Sequence, residues 1–203
     1  MSSDNLDFTS KMAIWCRDNL KYIIIGVLIG ITITLSWNYY QHSQKIKNIE
    51  ASDLYTQLIN LTSAGEEYKD IADKISKDHA DSIYDVLSKF ILSKQEFENK
   101  NYEEAKAQLE DIISININET YNSLAKIKIS LINIEEKKYD EALVQLENVD
   151  LKDAFKPVLL ELKGDIYKFK GDKEKSLNFY NEALSSSSVD NENLLMKKNS
   201  VKK

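Results

Sequence analysis

From Tyr22 to Gln41 the chain carries no charged residue, a run of 20 positions. That is the helix length needed to cross the hydrocarbon of a bilayer. The centre reads Ile23-Ile24-Ile25-Gly26-Val27-Leu28-Ile29-Gly30-Ile31, then Thr32, Ile33, Thr34 and Leu35. β-Branched residues and glycines form poor helices in water, but lipid tolerates them because every backbone bond must close internally. Tyr22 stands at one end and Trp37, Tyr39 and Tyr40 at the other, as suits the headgroup layers.

A cleaved signal peptide has a short lead and a small-residue exit. Here the lead is 21 residues long, and the exit reads Ser36-Trp37-Asn38-Tyr39-Tyr40. A lipoprotein signal places its apolar run before the cysteine, whereas Cys16 comes ahead of it. The run therefore reads as an uncleaved anchor, residues 22–41, after a short segment 1–21. Lys11, Arg17 and Lys21 precede the span and Lys45 and Lys47 follow it. Positive charge stays in the cytoplasm, so the N-terminus is expected inside and the bulk of the chain outside.

Beyond the anchor, self-similarity is the strongest signal. Asn101-Tyr102-Glu103-Glu104-Ala105, Lys138-Tyr139-Asp140-Glu141-Ala142 and Asp172-Lys173-Glu174-Lys175-Ser176 align with offsets of 37 and 34 residues. An aromatic residue precedes each small one by 21 positions: Tyr84, Tyr121 and Phe155. Each unit has a long apolar-striped helix, a short polar turn and a second helix that begins acidic. The small residues Ala105, Ala142 and Ser176 let the paired helices approach closely. In the third unit Leu160, Gly164, Tyr167, Ser176, Tyr180 and Ala183 fall at the offsets of a tetratricopeptide repeat. Ser93 and Ser130 take the place of that glycine in the other two. Pro157 lies in a first helical turn, where its missing N–H matters least, with Asp153 as a candidate cap.

An atypical pair precedes these units: a helix from Lys45 to about Leu61, a break at Thr62-Ser63-Ala64-Gly65, and a partner from Glu66 to about Lys77. Ser82 or Asp81 caps the helix after it. With five glycines and one proline the chain lacks the punctuation of β architectures. The expected fold is all-α, a transmembrane helix followed by a tetratricopeptide-like α-solenoid of about four hairpins over residues 42–184. After Leu184 the run Ser185-Ser186-Ser187-Ser188 ends the pattern. Residues 185–203 are expected to be a mobile tail with at most a short helix around Asn193–Lys197.

Chemistry-bearing constellations are missing from the sequence. His42 and His79 have no local nucleophile, Cys16 has no second thiol, and no spacing suits a metal. Glu103-Glu104 and Glu135-Glu136 are adjacent, hence splayed on a helix, and read as solvated terminal charges. A net charge of −6 disfavours nucleic acid, and no glycine-rich loop cradles phosphate. The chain thus reads as non-enzymatic, without cofactor, metal or small-molecule substrate. The inner faces of the long helices are the candidate site for protein binding. They carry Leu87, Phe90 and Phe97, then Leu124, Ile127, Leu131 and Ile134, then Val158, Glu161, Asp165 and Lys168. Two readings stay open for them: a face that receives a partner, or one buried by a neighbour such as the helix Lys45–Leu61.

Three stretches carry a family resemblance. They are Ile14-Trp15 through Tyr39-Tyr40 and on into Ala51-Ser52-Asp53-Leu54-Tyr55; Lys138-Tyr139-Asp140-Glu141-Ala142-Leu143; and Glu161-Leu162-Lys163-Gly164-Asp165-Ile166 with Gly171-Asp172 and Tyr180-Asn181-Glu182-Ala183-Leu184. Together they resemble the ancillary subunits of the bacterial SecYEG translocon (the YfgM type), with Lys163 where an arginine is usual. The resemblance implies an inner-membrane protein with its repeat domain in the periplasm. It further implies association with SecYEG and with a membrane-anchored periplasmic chaperone of the prolyl-isomerase class. A membrane-tethered tetratricopeptide receptor or scaffold for another envelope or organellar complex is the alternative.

Overall fold

The computed structural model describes residues 3–149, 156–186 and 191–201, and all regular structure among them is α-helix. Asp153, Phe155, Ser187 and Ser188, singled out above, lie outside the described residues. The chain divides into two compact units, residues 1–50 and 51–203.

In the first unit, α1 (Ser3–Asp18) leads into α2 (Leu20–Ala64), whose later residues belong to the second unit. Asn19 joins the two helices: its backbone N–H and its side-chain amide both donate to the Trp15 carbonyl. α2 contains a window long and apolar enough to cross a membrane, none of it buried within the protein. Two threonines in that run close their own hydrogen bonds. Thr32 Oγ1 donates to the Leu28 carbonyl at 2.8 Å, and Thr34 Oγ1 to that of Gly30 at 2.9 Å. Neither hydroxyl is left unpaired where lipid offers no partner.

The second unit stacks helical pairs. The end of α2 turns through Gly65, at φ 72°, into α3 (Lys69–Asp78). Then come α4 (Ile83–Glu98) with α5 (Tyr102–Ile115), α6 (Glu119–Glu135) with α7 (Tyr139–Glu147), and α8 (Lys156–Phe169) with α9 (Lys173–Ser186). Ser82 caps α4 by accepting from the Asp85 N–H at 3.1 Å, and Asn118 caps α6 in the same way through Tyr121. The three hairpin turns share one closure, in which the last amide reaches five residues back: Asn101 to Glu96, Lys138 to Asn133 and Asp172 to Tyr167. That bond requires a left-handed residue just before it. Lys100, Lys137 and Gly171 occupy the position at φ 65°, 63° and 80°.

Apolar clusters form between successive pairs, so each long helix is shared by two of them. Val86, Ala105, Leu109, Ile112, Ala125, Ile129 and Ile132 join α4, α5 and α6. Ile127, Ala142, Leu146 and Ile166 join α6, α7 and α8. Leu54 and Leu58 of α2 pack with Ala72 and Ile75 of α3 and with Ile91 and Leu92 of α4.

The structure departs from the sequence reading at the C-terminus. Residues 192–201 form α10 (Glu192–Val201), and the second unit runs on past Leu184. Leu194 and Val201, seven positions apart and both buried, pack with Leu160, Tyr180 and Ala183. Instead of trailing as a tail, α10 covers apolar surface that the last hairpin would otherwise leave to solvent.

A candidate protein-binding face

The repeat-packing residues are where the paired helices touch. Ala105, Ala142, Gly164, Ser176, Tyr180 and Ala183 are all buried, and Tyr167 is half-buried. At Gly164 an added Cβ would lie 2.6 Å from ring carbons of Tyr180, so only glycine fits against that ring. Tyr167 stacks on Phe179 with centroids 5.4 Å apart, and the Lys175 ammonium sits 5.1 Å from its ring centre.

The point of closest approach carries a hydroxyl in both later hairpins, but on opposite helices. Ser130 of α6 donates to the Ala142 carbonyl at 3.0 Å. Ser176 of α9 donates to the Gly164 carbonyl at 2.9 Å. Each pair is one small residue plus one serine, and one bond crosses the seam in either case.

The candidate binding residues divide by exposure. Phe97, Leu124, Leu131 and Val158 stand 36%, 40%, 43% and 46% exposed, and Lys168 is exposed too. Leu87, Phe90, Ile134, Glu161 and Asp165 are half-buried. Ile127 is a correction: at 8% exposure it belongs to the core between α6 and α8. The end of α2 packs on α4 through Ile91 and Leu92, and Tyr55 lies 5.9 Å from Tyr84. None of Leu87, Phe90 or Phe97 belongs to that contact cluster. Phe90 lies 6.3 Å from Tyr121 and beneath the ammonium of Lys128, and Phe97 lies 5.6 Å from Tyr102. Large apolar groups on α4, α6 and α8 thus remain exposed: Phe97, Leu124, Leu131 and Val158, the row of nominated residues that stays open.

The third unit changes character. Lys197 of α10 bonds Glu161 at 2.7 Å and Asp165 at 2.6 Å, and Lys168 donates to Ser200 at 2.8 Å. Three sequence-nominated residues are therefore in contact with the chain's own last helix. Burial disfavours the Lys197 charge, yet its bonds to Asp165 and Glu161 outweigh that and raise its pKa. Tyr180 donates to the other oxygen of Asp165 at 2.6 Å, and burial above all pushes its phenol up.

Sequence reasoning missed a second charged group. Asp85, almost wholly buried, has its Oδ1 3.7 Å from the Lys89 ammonium, which also reaches Asp111 at 3.4 Å. Burial raises the Asp85 pKa despite Lys89. Its only signal in the sequence was a charged pair four apart on an apolar-striped helix. Lys106 of α5 bonds Glu103 of its own helix at 2.8 Å and, between hairpins, Glu136 at 3.0 Å, and Lys170 pairs with Asp140 of the preceding hairpin. Among the described residues no three His, Cys, Asp or Glu side chains converge as metal ligands.

The family model for the tetratricopeptide repeat-like domain matches residues 14–203. The chain belongs to that family. The matched residues include the apolar run of α2, the three hairpins and α10. A curated relative, the ancillary SecYEG translocon subunit of Haemophilus influenzae, is 26% identical over 175 residues. That alignment covers 86% of this chain and 85% of the relative.

Proposed function

We infer that this protein is a membrane-anchored, non-enzymatic interaction subunit of the Sec translocon. The observation that carries the reading is the open apolar row Phe97, Leu124, Leu131 and Val158 on a repeat array that follows an anchor-length apolar run. A surface of that kind binds extended or helical segments of other proteins. The relative's name supplies the setting. In this reading the N-terminus lies in the cytoplasm of a bacterial cell and the array in the periplasm. The span docks beside the SecYEG channel. The array meets emerging chains, or links the channel to a membrane-anchored chaperone of the prolyl-isomerase class, through the row above and its half-buried neighbours Leu87, Phe90 and Ile134.

Co-purification from native membranes in mild detergent tests this. Channel subunits and a periplasmic chaperone should accompany the tagged chain. Replacing Tyr22–Gln41 by an unrelated anchor should lose the channel. Charging the row with Leu124→Asp and Leu131→Asp should lose the chaperone or client while the channel is retained. Recovery of some other complex, with neither channel nor chaperone, refutes the reading.

A further inference from the structure

The last twelve residues hold four lysines and one glutamate, although the chain as a whole carries −6. Within α10 two lysines stand against one glutamate, and one of those lysines meets two acids of α8. Leu194 and Val201 enter the apolar cluster of α8 and α9. Lys197, three residues after the first and four before the second, is held between Glu161 and Asp165.

Three features of the surface beneath α10 are set within α8 and α9 themselves. Asp165 is aimed by the Tyr180 hydroxyl, a bond internal to the α8–α9 hairpin. Tyr180 is locked in turn against Gly164, which leaves no room for a Cβ. At the offset of 34 residues Glu161 takes the place of Ile127, a core residue between α6 and α8, and Asp165 that of the exposed Leu131. Two acids thus stand on α8, where a lysine is received, at positions that are apolar on α6.

α10 itself is a light occupant. It commits two buried apolar side chains, while Leu195 and Met196 stay exposed. Ten residues are too few for a helix to persist alone in water, so α10 owes its form to this surface. Val158, on the same face of α8 and one turn before Glu161, remains 46% exposed.

We propose that α10 is an exchangeable occupant of a helix-binding surface at the end of the array. The surface takes partner helices bearing a lysine or arginine three residues after one large apolar residue and four before another. α10 holds the place until such a helix displaces it. The proposal rests on the reading of the chain as a protein-interaction subunit, and it specifies one site and its ligand class.

The test uses a labelled peptide of residues 191–203 as the probe, titrated by anisotropy against the full chain in detergent. A second titration uses the full chain carrying Leu194→Asp and Lys197→Glu, which releases α10 and leaves the receptor intact. The peptide should bind the released variant at least about tenfold more tightly than the native chain, because the tethered helix competes. A peptide carrying Lys197→Glu should not bind. Hydrogen exchange on the variant should show α10 deprotected and α8 and α9 unchanged. Equal binding to both chains, or no binding to a variant with α8 and α9 protected, overturns the proposal. Loss of protection in α8 and α9 together with α10 also overturns it, since α10 would then be a fixed part of the fold. None of these readouts depends on the translocon, so a failed co-purification and a failed titration remain separate results.

Discussion

Lys100 and Lys137 hold left-handed backbone at the turns of their hairpins, where the third hairpin uses Gly171. A side chain in that conformation costs about 1–2 kcal/mol, and glycine returns part of this through its freer unfolded chain. Lys100→Gly and Lys137→Gly should each stabilise by about 0.5–1 kcal/mol, read as a higher urea midpoint. Gly164→Ala should do the reverse. Tyr180 is fully buried and tied to Asp165, so it cannot swing away from a Cβ 2.6 Å off. Overpacking should outweigh the better helix propensity of alanine and destabilise by about 1–2 kcal/mol. Asp85 gives a pH signature. Its folded pKa is raised by burial, so the folded state takes up a proton before the unfolded state does. Its contribution to stability therefore grows as pH falls through the folded value towards the ordinary carboxylate range. Asp85→Asn should match or exceed the native chain in thermal midpoint at neutral pH, and the difference should shrink on acidification. Glu103 and Glu136 oppose this trend. Hydrogen bonds from Lys106 and Lys138 hold their pKa values down, so what they contribute is lost as pH falls.

Among the elements, α10 is the one whose attachment mixes charge with a small apolar contact. Lys197 remains 38% exposed in its side chain, so salt should screen its two ion pairs. Raising ionic strength to about 1 M should speed amide exchange in α10 well before α8 or α9 responds. Uniform protection at both salt levels would mean that Leu194 and Val201 alone hold the helix. The docking of α10 was not legible in the sequence because its signal is thin. Two apolar residues seven apart follow a serine run, and the acids that receive Lys197 lie 36 and 32 residues upstream. The hairpin seams, by contrast, were legible because small residues recur there at fixed spacing. Ile127 was misread for a related reason: α6 serves two clusters, and helical periodicity marks an apolar face without saying which neighbour covers it.

For the whole molecule, the anchor and the repeats came from separate and strong signals, an uncharged run and a recurring spacing. Which apolar residues of the inner face stay open was not readable, since packing between non-local hairpins decides it. Phe97, Leu124 and Leu131 share their composition with residues that ended up covered. Orientation can be measured on the native chain, because Cys16 is the sole cysteine, precedes the span and is exposed. An N-terminus in the cytoplasm should leave it unlabelled by a membrane-impermeant maleimide on intact cells and labelled after lysis. Labelling of intact cells would invert the assignment.

The serine that crosses sides between the second and third hairpins shows what the seam between paired helices demands. Ser130 with Ala142 and Gly164 with Ser176 achieve one hydroxyl-to-carbonyl bond from mirrored placements. Position by position the two hairpins differ, Ser130 standing where the third has Gly164 and Ala142 where it has Ser176. Taken as couplets they are equivalent solutions: the seam requires one hydroxyl facing one carbonyl, and neither position by itself is obliged to be the serine.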